Sequence, residues 1–400
     1  MITSVQTELP AIVFEDTAVA FASKSDPQLR KTYWLFTIMN QRWAVNLGTF
    51  FIKLALKLHL PVKNLIRRTI FLQFCGGETV TDCNSTILTL GESGIKTILD
   101  YSVDAENDDS GFDTTVNELL KTIDCASNSE DISFTVFKVS AVGSVELLKK
   151  MQSGTALDSE ESDEFEQIRK RVDQLCGFAA EKNIPIFIDG EESWIQPVID
   201  SLAYEMMARY NRTNVVVYNT YQLYKTETLK ELKAAYLQAR EIGYRVGCKL
   251  VRGAYMEKER IHAQENQYCD PIHKSKDLTD KDFNLAVDFC LDHIDVFSIC
   301  LGTHNEYSCK HCIEKIHRLG LENDHPNIWF AQLLGLSDNI TYNLAKAGYN
   351  VAKHVPYGPL EAVAPYLFRR AEENQSIVGQ SSREYLLIQK EIRRRNNCTV

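Results

Sequence analysis

The stretch NVVVYNTYQLYKTETLKELKAAYLQAREIGYRVGCKLVRGAY, residues 214–255, holds the fold in miniature. It opens on NVVVYNT (214–220), a β-branched apolar run, passes through TETLKELKAAYLQAREIGY, an amphipathic helical pattern, and closes on GCKLVRGAY (247–255), again strand-like. Apolar character that changes from a continuous run to a helical period and back marks a strand, a crossover helix and a second, parallel strand.

The alternation extends in both directions. Further runs occur at 95–103, 134–142, 184–190, 296–305, 327–335 and 349–358, which makes eight, nearly all separated by amphipathic helical patterns. Parallel strands buried on both faces follow, and eight units match a (βα)8 barrel. An open doubly wound sheet shares the pattern, but one serving a dinucleotide would carry G-x-G-x-x-G after its first strand, and the chain has no such run. The expected architecture is therefore α/β: an N-terminal helical segment (1–90), a barrel with a lid helix (91–378) and a basic tail (379–400). Pro61 and Cys75–Glu78 break the N-terminal segment, and the acidic stretch 153–166 reads as a solvated loop entering a helix capped by Ser162.

Composition narrows the function. With 44% hydrophobic and 24% charged residues the 400-residue chain is ordinary globular material, and a net charge of -10 argues against a nucleic-acid partner. Eleven scattered cysteines form no disulfide framework and suit a reducing compartment. Cys309 and Cys312 make a lone C-x-x-C, read as small thiols, so no metal is expected. The first twenty residues carry Glu8, Glu15 and Asp16 without Lys or Arg, unlike a leader peptide, which points to a cytoplasmic protein, or to a mitochondrial one if the source is a eukaryote. Residues 47–62 form the most apolar window, interrupted by Lys53, Lys57 and His59. It falls short of the roughly 20 apolar residues of a bilayer span and reads as a core-packing helix, with peripheral membrane contact as the alternative.

Polar residues collect at the strand ends, where a barrel of this kind places its active site. They are Lys138, Asp189, Glu191 and Glu192, Asn219, Lys249 and Arg252, then Thr303, His304 and Asn305, Gln332, and His354 with Tyr357. Singly, each has a bland reading as a satisfied ion pair or a structural histidine. Together, Lys138, Lys249, Arg252, Arg369 and Arg370 would repel one another unless an anion joined them. The last helix, APYLFRRAEEN (364–374), spaces Tyr366, Arg369, Arg370 and Glu373 at i, i+3, i+4 and i+7, the stripe a helix normally fills with apolar residues. Adjacent arginines clamp a carboxylate through forked hydrogen bonds, so this stripe reads as a lid over the mouth.

At these residues the chain resembles proline dehydrogenase, the FAD-dependent barrel family, in its short monofunctional form. The resemblance runs through FCGGETV, ILDYSV, IDGEESW, YNTYQLY, KLVRGAYMEKER, GTHNEYS, FAQLLGLSDNI and VPYGPLEAVAPYLFRRAEEN, nearly the whole length. It implies that Arg369, Arg370 and Lys138 hold the carboxylate of L-proline, that Tyr366 and Tyr255 pack about its ring, and that Glu373 closes the arginine gate. Asp189 and Lys249 would be the catalytic pair. FAD would be held by Gly190, Asn219, Lys249, Arg252, Gly253, Ala254, Thr303, His304, Asn305 and Gln332. The implied reaction moves a hydride from proline C5 to flavin N5, yields pyrroline-5-carboxylate and passes electrons to a membrane quinone.

Four positions depart from the family pattern: Lys249 for arginine, Gly190 for alanine, Leu336 for methionine and His354 for the tyrosine of proline oxidisers. The last of these raises hydroxyproline as an alternative substrate. A barrel that binds an anion without catalysis is the alternative from another class.

Overall fold

The computed structural model describes residues 12–41, 43, 45, 48, 66–103, 108–364, 366–367 and 380–397. Eight parallel strands close into a barrel in sequence order: β1 (Lys96–Tyr101), β2 (Ile132–Phe137), β3 (Ile186–Ile188), β4 (Val217–Gln222), β5 (Val246–Val251), β6 (Phe297–Gly302), β7 (Ile328–Leu333) and β8 (Val351–Tyr357). Each run read from the sequence overlaps one strand. The seam is β1 against β8, paired from Lys96↔Ala352 to Tyr101↔Tyr357 without a break.

Successive side chains on a strand point to opposite faces, and packing shows which set faces in. Ile98, Phe134, Val136, Phe187, Tyr218, Cys300, Ala331 and Ala352 form one cluster inside the barrel. Phe134 and Phe187 stack with centroids 4.5 Å apart, and Tyr218 meets both edge-on at 5.5 and 5.4 Å. The barrel is thus a packed core and not a pore. Two residues further along their strands, the same parity turns Asp100, Lys138, Asp189, Thr220, Lys249 and His354 towards the mouth.

The opposite strand faces, with Ile188, Val217, Leu250, Ile299 and Phe330, pack under the outer helices in a larger apolar cluster. Among these helices is Ser159–Lys182, whose cap corrects the sequence reading. Asp158, not Ser162, is the cap: its carboxylate accepts from Glu161 N at 2.9 Å while Glu161 Oε2 accepts from Asp158 N at 2.9 Å. This reciprocal box satisfies two otherwise orphaned amides, and Ser162 already lies inside the first turn.

A third cluster sits over the β7 and β8 ends. Helices Asp26–Met39 and Gln380–Asn397 pack against each other and share Leu29, Phe36, Met39, Leu387 and Ile388 with Leu336, Leu360, Val363, Tyr366 and Leu367. Of the apolar window 47–62, only Gly48 is among the described residues. No described helix is long and apolar enough to cross a membrane.

Candidate active site

The inward-facing charges at the mouth are arranged around the barrel axis by strand order. Lys249 Nζ on β5 donates to Asp189 Oδ1 beyond β3 at 2.5 Å and lies 5.1 Å from the Phe187 ring centroid. Thr220 Oγ1 donates to Ile188 O at 2.9 Å and reaches Asp189 Oδ1 at 3.4 Å, so that carboxylate is held from two sides. Across the mouth, Asp100 Oδ2 on β1 pairs with His354 Nε2 on β8 at 2.9 Å and accepts from Ser102 Oγ. Burial works to raise the Asp100 carboxyl, but the His354 and Ser102 hydrogen bonds, with Lys138 adding charge, leave it below the ordinary carboxylate range.

Lys138 stands between these pairs, at the entry to the 3₁₀ turn Val139–Ala141. Among the described residues its ammonium has no hydrogen-bonding or ion-pair partner, which leaves it as the mouth cation open to an incoming carboxylate. Behind it, Glu191 is 3% exposed and accepts from Ser140 N at 3.0 Å. Burial pushes its carboxyl up to about 7.

The rim beyond β5 and β6 supplies donors of another kind. Arg252 Nε donates to Asp280 at 2.6 Å, Nη1 to Thr303 Oγ1 at 2.7 Å and Nη2 to Ser308 Oγ at 2.9 Å, which fixes the guanidinium as a planar wall. Gly253 follows at φ +131° with the Tyr224 ring where a Cβ would stand, a position only glycine fills without strain. Gly253 and Ala254 are exposed, and the helix Met256–Glu265 starts just after them without a side-chain cap. An uncapped helix N-terminus beside a glycine and two basic residues is a donor set suited to a phosphate-bearing cofactor. On this ground the residues present fit FAD.

Several residues expected to touch cofactor are engaged elsewhere. Asn219 has the outward parity: its Nδ2 donates to Asp200 Oδ1 at 2.7 Å and its Oδ1 accepts from Thr220 N at 2.9 Å. Gln332 donates to Thr303 O at 3.1 Å and accepts from Thr341 Oγ1 at 2.8 Å. Asn305 caps the helix Glu306–Arg318 by accepting from Tyr307 N and Ser308 N, and His304 Nδ1 meets Ser337 Oγ at 2.9 Å. These four build the wall that carries Thr303. Tyr255 adjoins the rim as the residue before the uncapped helix. Tyr366 lies buried in the cluster above β8, beside Leu360 and Val363. Arg369, Arg370 and Glu373 lie outside the described residues.

Gly190 fits its surroundings closely. A Cβ there would sit 3.1 Å from Gln222 Cγ and Nε2, so alanine would require Gln222 to yield. Gln222 itself is buried, and its Nε2 donates to Glu191 O at 2.6 Å. Asp100, Ser102 and Gln222 were not singled out by the sequence reading. The signal was present for Asp100, which is two residues past the inward-facing Ile98 and directly follows the apolar pair Ile98–Leu99.

A family model described as "Proline dehydrogenase" matches residues 83–383. The chain is 35% identical over 324 residues to the carbapenem antibiotics biosynthesis protein CarD of Pectobacterium carotovorum subsp. carotovorum, covering 80% of this chain and 83% of that protein. It is 28% identical over 426 aligned positions to "Proline dehydrogenase 1, mitochondrial" of Dictyostelium discoideum, covering 95% of this chain and 74% of that one. Among solved structures, proline utilization A from Bdellovibrio bacteriovorus superposes with a TM-score of 0.72 at 16% identity, over 90% of this chain and 38% of that chain. The structural likeness shows a shared fold.

Proposed function

Because the chain belongs to the proline dehydrogenase family and so is an oxidoreductase acting on proline, we propose that it oxidises L-proline to pyrroline-5-carboxylate at the barrel mouth, with FAD as cofactor and a quinone as final acceptor. The observation that carries this reading is Lys138, a cation with no hydrogen-bond or ion-pair partner among the described residues, at a mouth where Lys249 and Arg252 are each paired with an aspartate.

Lys138 would bind the substrate carboxylate, with Arg369 and Arg370 closing over it and Glu373 as the gate. Tyr366 and Tyr255 would bound the ring. With the acid group fixed beside β2, the ring lies between the Asp189–Lys249 pair on one side and the Asp100–His354 pair on the other. Fixing the carboxylate is what orients C5, and orientation supplies most of what a protein can add to such a step. Bound FAD would supply the two-electron acceptor. The residues fit to hold it are Lys249, Arg252, Gly253 and Ala254, with Gly190, Gln222 and Thr303 shaping the floor beneath. The substrate nitrogen must be neutral for hydride to leave C5, because its lone pair stabilises the developing iminium.

Purified protein should show a flavin absorbance band that L-proline bleaches without oxygen. Lys138→Ala should keep the band and raise KM for L-proline at least about tenfold, the loss of one charge-assisted contact. Colourless protein that takes up no added FAD, or a Lys138→Ala variant with unchanged kinetics, would overturn the reading.

His354 favours a second substrate. Its Nε2 is committed to Asp100, so a polar ring stands on β8 at the edge of the pocket, and a 4-hydroxyl has a partner there. The ratio of kcat/KM for trans-4-hydroxy-L-proline over L-proline should fall by about tenfold or more in His354→Phe, since a polar group unpaired in a closed site is costly. A ratio that does not move excludes hydroxyproline as a designed-for substrate. If the source is eukaryotic, a mitochondrial location accords with the name of the Dictyostelium relative.

A further inference from the structure

The barrel has a second polar end. At the N-terminal edge of the strands, opposite the mouth, lies a cavity of about 250 Å³ whose lining contains no aspartate or glutamate. Arg245 enters it by the parity that governs the mouth. Along β5 and the residue before it, Arg245, Gly247 and Lys249 alternate inward, with Arg245 at the floor and Lys249 at the mouth. Gly247 leaves the space between them to the Tyr218 ring, whose Cγ lies 2.7 Å from where a Cβ would stand.

The Arg245 guanidinium makes no hydrogen bond and no ion pair among the described residues, and its Nε is buried with no acceptor. The side chain as a whole is half-buried, but an Nε donor that is buried and unmatched is costly, because its desolvation is not offset. The cavity wall otherwise offers only neutral hydrogen-bonding groups. The carboxamides of Asn183, Asn214 and Asn327 make no side-chain hydrogen bond among the described residues, and Ser298 Oγ pairs with Tyr218 OH at 2.8 Å. Two titratable neighbours feel the charge. Burial lowers His325 and Arg245 lowers it further, while burial raises the Tyr218 phenol against a smaller opposing pull from Arg245. Neither supplies a negative charge at neutral pH.

We propose that this floor cavity binds a small oxyanion, with Arg245 as its charged partner and the three carboxamides as further donors. The volume is ample for a phosphate or a short carboxylate with its hydration. A planar fork with several free donors matches an oxyanion better than a spherical ion. The inference is independent of the oxidation chemistry at the other end.

Trp329 lines the cavity and reports on it. Inorganic phosphate and acetate, each titrated into the full-length protein at constant ionic strength, are read by tryptophan fluorescence and by Tm. Phosphate should give a saturable response with a Kd on the order of 1 mM. Arg245→Gln should weaken it at least about tenfold, Arg245→Lys should fall between, and Lys138→Ala at the mouth should leave it unchanged. A response to acetate of equal strength identifies a carboxylate site, and a response confined to phosphate identifies a phosphate site. If Arg245→Gln does not fold, Asn327→Ala, which keeps the charge, should still weaken binding. The proposal is overturned if wild-type protein gives no saturable response up to about 50 mM of either anion, or if Arg245→Gln responds as wild type does.

Discussion

Glu191 shows how one buried carboxyl ties pH to stability. It sits just past β3 with 3% exposure, accepts one hydrogen bond from Ser140 N, and is pushed up from 4.5 to about 7, chiefly by burial. In the folded state it therefore binds a proton more tightly than in the unfolded chain. Its contribution is fully present below about 4.5 and is lost as pH rises through about 7. Glu191→Gln keeps the shape and carries no charge, so the share of the pH slope that Glu191 contributes should be absent from the variant. The gap between variant and wild type should open towards pH 8, to roughly 3 kcal/mol at most. Urea midpoints measured from pH 5 to pH 8 check this, and parallel profiles would show that Glu191 ionises as freely in the fold as in the open chain. Glu384, also pushed up to about 7 by burial, adds a slope of the same sign, so the Glu191→Gln profile should flatten in part.

At the level of the element, the C-terminal helix Gln380–Asn397 owes its place to one apolar stripe and a set of buried charges. Leu387 and Ile388 face the helix Asp26–Met39, whereas Leu386 is 58% exposed. Glu391, with no exposed surface, receives Arg394 and Arg395, and Arg395 reaches on to Asp26 at 2.7 Å. Glu384 accepts from Ser337 N, and Ser337 in turn meets His304 at the rim, so the helix is connected to the wall of the site. Ile388→Ala should cost about 2–4 kcal/mol through lost burial and the cavity left behind. Leu386→Ala should lie within about 0.5 kcal/mol of wild type. Denaturant midpoints for the two variants separate a packed helix from a loosely attached tail, because equal effects would mean the stripe does not bear on stability.

For the whole molecule, one parity rule runs through eight strands. It places an aromatic and aliphatic layer at the middle, charge pairs and the open Lys138 at the mouth, and Arg245 at the floor. The middle layer is full: Ala352 has no exposed surface and shares its cluster with Phe134, Phe187 and Tyr218. Ala352→Leu adds volume to a closed ring that cannot splay without breaking the β1–β8 seam. It should destabilise the barrel by about 1–3 kcal/mol, seen as a lower Tm. A neutral result would indicate space that the packing of these rings does not show.

The number, order and type of the strands were legible because they are local: apolar runs and helical periods repeat along the chain, and eight repeats fit a closed barrel. The mouth was legible in outline for the same reason, since Lys138, Asp189, Lys249 and His354 punctuate apolar strands. The direction in which each polar residue points was not legible. Asn219 and Thr220 are neighbours in sequence, yet the first faces out to Asp200 and the second in to Asp189. The partnership of Asp100 with His354 joins residues that only barrel closure brings together. Sequence by itself determined that this chain is a barrel with a charged mouth, because periodicity and residue chemistry travel with the chain. Tertiary structure decided which charges are matched and which stand open, because matching depends on strand register and closure, and neither is written in any one segment.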